Sequence, residues 1–214
     1  MTSIVFDLDG TLIDSAPDLH AAAIRMLAEA DLPEITFDQT RSFIGNGVPV
    51  LVRRIMTAAG LPEDPDRHAE MEAAFLRHYN AAPADLTVLY PGVEAALDRL
   101  EAAGCVFGLC TNKPEGPTRD ILRAFGLAER MQVVVGGDTL PVKKPDPAPL
   151  HRAFAAMPDG PQLYVGDSEV DAATARAAGI RFALFSGGYR KSPVDEMLHD
   201  HLFDHWGDLP GMIG

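Results

Sequence analysis

The chain has 214 residues, 47% of them hydrophobic, enough to bury a substantial core and sized for one domain with an insert or two small domains. Its formal net charge of −13 excludes a broad nucleic-acid or acidic-membrane surface, because such surfaces neutralise phosphates with Lys and Arg. A small anionic ligand would therefore need local cations. No run of about eighteen apolar residues is present, so no membrane span is expected. Met1-Thr2-Ser3 leads directly into the first strand without a basic or apolar signal region, which points to the cytoplasm. Cys105 and Cys110 lack CxxC spacing and are expected to be reduced.

In chain order, the first apolar run, Ser3 to Phe6, reads as a strand and ends on Asp7-Leu8-Asp9-Gly10-Thr11. From about Ser15 to Asp85 the pattern becomes helical, with no convincing strand. Leu19, Ala23, Leu27 and Ala30 share one face of a first helix, and Met71, Phe75, Leu76 and Tyr79 share a face of a later one. Pro17 at the entry and Ala82-Pro83-Ala84-Asp85 at the exit mark linkers. A helix from Val93 to Ala103 stops at Gly104, a strand spans Val106 to Cys110, and a helix from Asp120 to Phe125 stops at Gly126. Further strands cover Gln132 to Val135, Leu163 to Val165, and Arg181 to Phe185. Leu202-Phe203 with Trp206 reads as a short terminal strand. Strands alternating with helices, and apolar throughout, imply a parallel sheet covered on both faces: an α/β, doubly wound, Rossmann-like core with an inserted α-helical domain. The expected division is 1–14 and 86–214 for the core and 15–85 for the insert.

Ligands of such sheets bind beyond the carboxyl ends of the strands, and four strand ends here carry polar groups. They are Asp7 and Asp9; Thr111-Asn112-Lys113; Gly136-Gly137-Asp138, with Lys143-Lys144-Pro145 a short loop later; and Gly166-Asp167-Ser168 with Asp171. Carboxylates gathered at a buried strand end repel one another unless a cation lies between them.

In these motifs the sequence resembles the haloacid dehalogenase-like hydrolase superfamily. The phosphatase branch of that superfamily begins D-x-D-G-T and continues with Ser or Thr, then Lys, then an acidic pair. The matching stretches are Asp7-Leu8-Asp9-Gly10-Thr11, Thr111-Asn112, Lys144-Pro145 and Asp167-Ser168-Glu169-Val170-Asp171, in order along nearly the whole chain. The helical insert looks like the family's C1-type cap. The resemblance implies hydrolysis of a small phosphate monoester with Mg2+, Asp7 being the nucleophile that forms an aspartyl-phosphate. Asp9 would act as general acid and then base, and Thr111, Asn112 and Lys144 would bind phosphate. Asp7, the backbone carbonyl of Asp9, and Asp167 would hold the metal, with Asp171 behind them orienting Lys144 or a water of the ion. Lys143, beside the functional lysine, is expected to be solvated.

Asp9 favours phosphate chemistry over dehalogenation, because an ester's leaving oxygen needs a proton and a halide does not. The stretches Asp14 to Leu19 and Ile44 to Arg54, with Thr111-Asn112-Lys113-Pro114, are similar to those of bacterial phosphoglycolate phosphatases, which makes 2-phosphoglycolate the expected substrate. A sugar-phosphate mutase or pyrophosphatase would keep the same core and change the cap, and a non-catalytic phosphate-binding module is the alternative from another class. Gly45-Asn46-Gly47 in the cap is expected to contact the leaving group through backbone N–H groups, with Arg41, Arg53 and Arg54 near enough in sequence to supply a cation. The expected partner is thus a small anionic ester, with no nucleic acid and no membrane, for a monomer or homodimer. An EF-hand is excluded because Leu12 and Asp18 stand where that loop wants Gly and Glu. His199, His201 and His205 are read as flanks of the terminal strand rather than as metal ligands.

Overall fold

The computed structural model describes residues 1–82 and 84–213, so Pro83 of the expected exit linker lies outside the described residues. Strand β1 (Ser3–Phe6) continues past a tight loop into a two-residue strand, β2 (Ile13–Asp14). Four helices follow: α1 (Ala16–Glu29), α2 (Phe37–Phe43), α3 (Val48–Ala58) and α4 (Pro65–Ala81). The chain returns through β3 (Val88–Leu89) and then alternates: α5 (Val93–Ala102), β4 (Val106–Cys110), α6 (Glu115–Ala124), β5 (Met131–Val135), α7 (Ala148–Phe154), β6 (Gln162–Gly166), α8 (Glu169–Ala178), β7 (Arg181–Phe185) and β8 (His201–Phe203).

The main sheet has six strands in the order β5-β4-β1-β6-β7-β8, and every neighbouring pair is parallel. This is the doubly wound α/β architecture expected from the alternation of strands and helices. The chain winds outward from β1 through β4 to β5, then restarts on the other side of β1 with β6, so the topological switch lies at the end of β1. Because successive strand residues face opposite sides, Ile4 and Phe6 enter one apolar cluster with α5, α6 and Trp206, while Val5 enters the other with α7 and α8. Helices α1 to α4 pack their apolar stripes into a third cluster around Met26, Leu27, Val52, Ile55 and Phe75.

Two details differ from the sequence reading. Helix α6 begins at Glu115 rather than Asp120, because Pro114 precedes it and Gly116 and Pro117 occupy its first turn, where a missing N–H has no helical acceptor to lose. The antiparallel pair β2–β3 joins the two crossings into and out of the helical segment, with Ile13 opposite Leu89 and Asp14 opposite Val88. Two residues are too few to show a period, so nothing in the pattern announced it. Leu202-Phe203 does lie in a terminal strand, and Cys105 and Cys110 are both free and buried.

A buried carboxylate also joins the crossings. Asp18, in the first turn of α1, accepts hydrogen bonds from Leu86 N (3.0 Å), Thr87 N (2.7 Å) and Thr87 Oγ1 (2.6 Å). Replacing it with Ala leaves those donors without an acceptor, a cost of about 2–3 kcal/mol. Asp18→Ala should therefore lower the midpoint of thermal unfolding by roughly 5–10 °C, followed by circular dichroism. Asp18→Asn, which keeps one acceptor oxygen, should lose less, and a shift under about 1 °C for the Ala variant would deny this tether a role in stability.

Candidate active site

The residues singled out in the sequence meet at the carboxyl ends of β1, β4 and β6. Asp7 is the residue immediately after β1, and its N–H donates to Val165 O of β6 (2.9 Å), so the neighbouring strand sets its backbone. Thr111 follows β4, its N–H held by Val135 O (3.0 Å), and Asp167 follows β6. Gly10 turns the chain away from β1 with φ +86°, a conformation that L side chains rarely adopt, and a Cβ there would lie 2.5 Å from Asp167 Oδ2. The glycine of Asp-x-Asp-Gly thus serves both the turn and the close approach of the acid from β6.

Three carboxylates share this buried corner: oxygen atoms of Asp7, Asp167 and Asp171 lie within 4.8 Å of one another. One ammonium stands among them. Lys144 Nζ is 3.0 Å from Asp7 Oδ1 and 2.7 Å from Asp171 Oδ1, and it donates to Tyr164 OH at 2.8 Å. Asp171 belongs mainly to the scaffold. Its Oδ1 also accepts from Tyr164 OH (2.7 Å), and its Oδ2 accepts from Ser168 N and Ser168 Oγ as the reciprocal half of the capping box that starts α8. Asp167 accepts from Thr11 Oγ1 (2.9 Å) and Tyr189 N (2.6 Å) but, among the described residues, has no cation against it.

These surroundings push the acids apart. Burial drives the Asp7 carboxyl up to about 7, with Lys144 pulling it down and Asp171 pushing it further up. Asp167 is raised well above the ordinary carboxylate range by burial, then by Asp171 and Asp7. Burial also acts to raise Asp171, but Lys144 and the hydrogen bonds from Lys144, Ser168 and Tyr164 hold it below that range. Lys144 stays charged because Asp171 and Asp7 outweigh its burial. Asp7 Oδ1 is buried, and its contact with Lys144 is too oblique for a hydrogen bond. The corner therefore holds more negative than positive charge, with an oxygen unsatisfied, which is what a hard cation with oxygen ligands relieves.

Asp9 points elsewhere. Its Oδ1 accepts from Ser15 Oγ (2.5 Å) and faces Lys113 Nζ at 3.1 Å, so its side chain borders the space between the sheet and the helices. A cavity of about 40 Å³ lies there, floored by Asp7, Asp9, Thr111, Asn112 and Lys113. Its roof comes from the helical segment: Leu19, Ile44, Val48 and Leu51, with Gly45 and Gly47. Gly45-Asn46-Gly47 reaches the core as expected, but its recorded polar contacts run through carbonyls. Asn112 Nδ2 donates to Gly45 O (3.0 Å) and Lys143 Nζ to Asn46 O (2.9 Å).

One expectation about a cation is corrected here. Lys143 is half-buried and bound to the loop rather than solvated, because Asn46 O comes within reach only once the helices fold over the sheet. The arginines of the helical segment do not line the cavity: Arg41 donates to Gly188 O and sits over the Tyr189 ring, Arg54 donates to Phe43 O, and Arg53 borders a separate groove. The cation in the cavity wall is Lys113, to which the sequence reading assigned nothing. Its signal was present in Thr111-Asn112-Lys113, two residues past a strand end. The C-terminal histidines stay apart from one another: His199 Nδ1 contacts Met197 O, His201 Nε2 contacts Arg181, and His205 stands beside Asp204. Among the described residues the three aspartates are the one group with metal-ligand spacing.

The family model for haloacid dehalogenase-like hydrolases matches residues 4–185. A phosphoglycolate phosphatase of Cereibacter sphaeroides is 54% identical over 213 residues, covering 100% of this chain and 98% of the relative. One of Rhodobacter capsulatus is 40% identical, with 99% and 96% covered. A crystal structure described as a predicted phosphoglycolate phosphatase from Haemophilus somnus superposes with a TM-score of 0.92 at 32% identity, covering 99% of this chain and 97% of that one. With its motifs joined at one sheet end and a family match across most of its length, the chain belongs to the haloacid dehalogenase-like hydrolases.

Proposed function

We propose that the protein is a magnesium-dependent phosphatase that hydrolyses 2-phosphoglycolate through an aspartyl-phosphate on Asp7. It is a phosphoric monoester hydrolase by family and relatives. The observation that carries the finer reading is that Asp7 and Asp9 line one cavity from the same loop, each with its own lysine. Asp7 sits in the charge-rich corner with Lys144, and Asp9 faces the small cavity under the helices. A phosphate between them would meet the nucleophile on one side and present its ester oxygen to the acid on the other.

Each residue then has a task. Asp7 attacks phosphorus in line. Lys144, held by Asp171 and Tyr164 in a fixed rotamer, offsets charge on the equatorial oxygens without having to reorganise, and the Thr111 hydroxyl is placed to donate to another. Asp9, bound to Ser15, gives its proton to the departing alkoxide and afterwards takes one from the water that attacks the phosphorylated Asp7. Asp7 and Asp167, with the main chain of Asp9, would hold the magnesium ion, which supplies positive charge against the phosphate oxygens. The helical segment acts as a cap that excludes water from the phosphorylated aspartate. The small cavity beneath the helices supports a small leaving group. The names of the relatives support glycolate in particular.

Three outcomes are expected. Asp7→Asn keeps the shape of the site but removes the nucleophile, so turnover of phosphoglycolate should fall below about a hundredth of wild type with an unchanged circular dichroism spectrum. Greater residual activity would exclude the covalent route. Asp9→Asn should slow phosphoglycolate far more than p-nitrophenyl phosphate, whose phenolate departs almost without a proton; equal losses would remove Asp9 as the acid.

The third outcome concerns pH. Asp167 binds its proton more tightly folded than unfolded, so in chelator its contribution to stability declines as pH rises from the ordinary carboxylate range upward. Asp167→Asn does not titrate there. In EDTA it should melt above wild type at pH 8, with the gap closing as the pH falls toward 4, and magnesium should reverse the order at pH 8. Melting curves of both proteins with and without the metal test this, and a gap that does not change with pH would refute it.

A further inference from the structure

Lys113 is a buried ammonium with a single carboxylate partner, in the wall of the cavity that would receive the leaving group. Its side chain is 4% exposed, and Nζ lies 3.1 and 3.3 Å from the two oxygens of Asp9 and 4.6 Å from the centre of the Tyr79 ring on α4. Around it stand acids, neutral polar groups and the apolar roof, so Lys113 is the one cation among the residues lining that cavity. Lys144 is different, since its charge is already divided between Asp7 and Asp171 in the corner beneath.

Resting on the reading of the site as a phosphatase, we infer that Lys113 selects the substrate by binding a carboxylate on the leaving group. Asp9 must face the ester oxygen to do its work. The ammonium beside it would then share or lose its only carboxylate, and a buried charge without a partner is costly. A carboxylate one methylene from the ester oxygen would reach the ammonium that borders Asp9 and supply the missing charge. A neutral leaving group in the same space would leave Lys113 without that carboxylate, so the site would discriminate by charge. The Tyr79 ring face adds a contact from the helical segment, which makes the pairing sensitive to how the helices sit over the sheet.

The probes are phosphoglycolate and ethyl phosphate, which share a two-carbon leaving group and the ester oxygen and differ in the carboxylate. Wild type should prefer phosphoglycolate in kcat/KM. Lys113→Met should reduce that preference about thirtyfold, the worth of one charge-assisted hydrogen bond, while Lys113→Arg should keep part of it. If Lys113 serves only to position Asp9, both esters lose equally and the preference survives, which overturns the inference and leaves the phosphatase reading standing. If wild type shows no preference for the carboxylate, both the inference and the phosphoglycolate reading fail. Should Lys113→Met not fold, Asp9→Asn gives an independent answer. It frees the ammonium of its competitor, so titration calorimetry should show phosphoglycolate bound at least about tenfold more tightly than ethyl phosphate. Equal affinities would again overturn the assignment.

Discussion

Three buried carboxylates, Asp7, Asp167 and Asp171, share one corner with a single ammonium, Lys144, which pairs with Asp7 and Asp171 and leaves Asp167 without a cation among the described residues. Folding brings them there because each follows or caps an element whose position the sheet dictates. The surroundings then divide the acids. Asp171 takes the ammonium, the Tyr164 hydroxyl and the donors at the start of α8, and it stays ionised at low cost. Asp7 and Asp167 are left with less than they need, which makes this corner strained in charge rather than in backbone. Much of the nearby structure accommodates it: Thr11 and the N–H of Tyr189 turn toward Asp167, and Gly10 leaves out a side chain where its oxygen lies. Such a surplus of buried negative charge is what a hard cation with oxygen ligands relieves.

The same economy of contacts governs the junction between sheet and helices. The helical segment has its own apolar cluster, and what ties it to the sheet is largely a set of single polar contacts. Asp18 holds Leu86 and Thr87, Asn112 and Lys143 reach the Gly45-Asn46-Gly47 loop, and Arg41 meets Gly188. Tyr189 serves both sides: its N–H binds Asp167, while its hydroxyl donates to Asp14 and accepts from Ser15 N and Ala16 N where α1 begins. Tyr189 also packs into the apolar cluster of the helices, so the acid of the corner and the start of α1 are linked through one side chain.

Much of the core was legible in the sequence because its signals are local. Apolar runs of strand length, broken by Gly104 and Gly126 and alternating with helical spacing, are enough to specify a parallel sheet with helices on both faces. Asp7, Thr111 and Asp167 each follow a strand, and Lys144 lies in the loop after β5; the ends of parallel strands share one edge of the sheet, so the meeting of the acids and the threonine was implied by order. The start of α6 and the pair β2–β3 were not legible. One begins with residues that read as a break, and the other is too short to show a period.

Lys113, Lys143 and Tyr189 mark the other limit. In the sequence each is an unremarkable polar residue beside a motif, and each acquires its place through a partner far along the chain. Lys113 meets Asp9 and Tyr79, Lys143 meets Asn46, and Tyr189 meets Asp14 and Asp167. By itself the sequence determined which elements form and which charged groups stand at their ends, because propensity and periodicity act over a few residues. Only the tertiary structure decided which cation faces which acid, because electrostatic pairing depends on distance and burial, and both are set by how the helices close over the sheet.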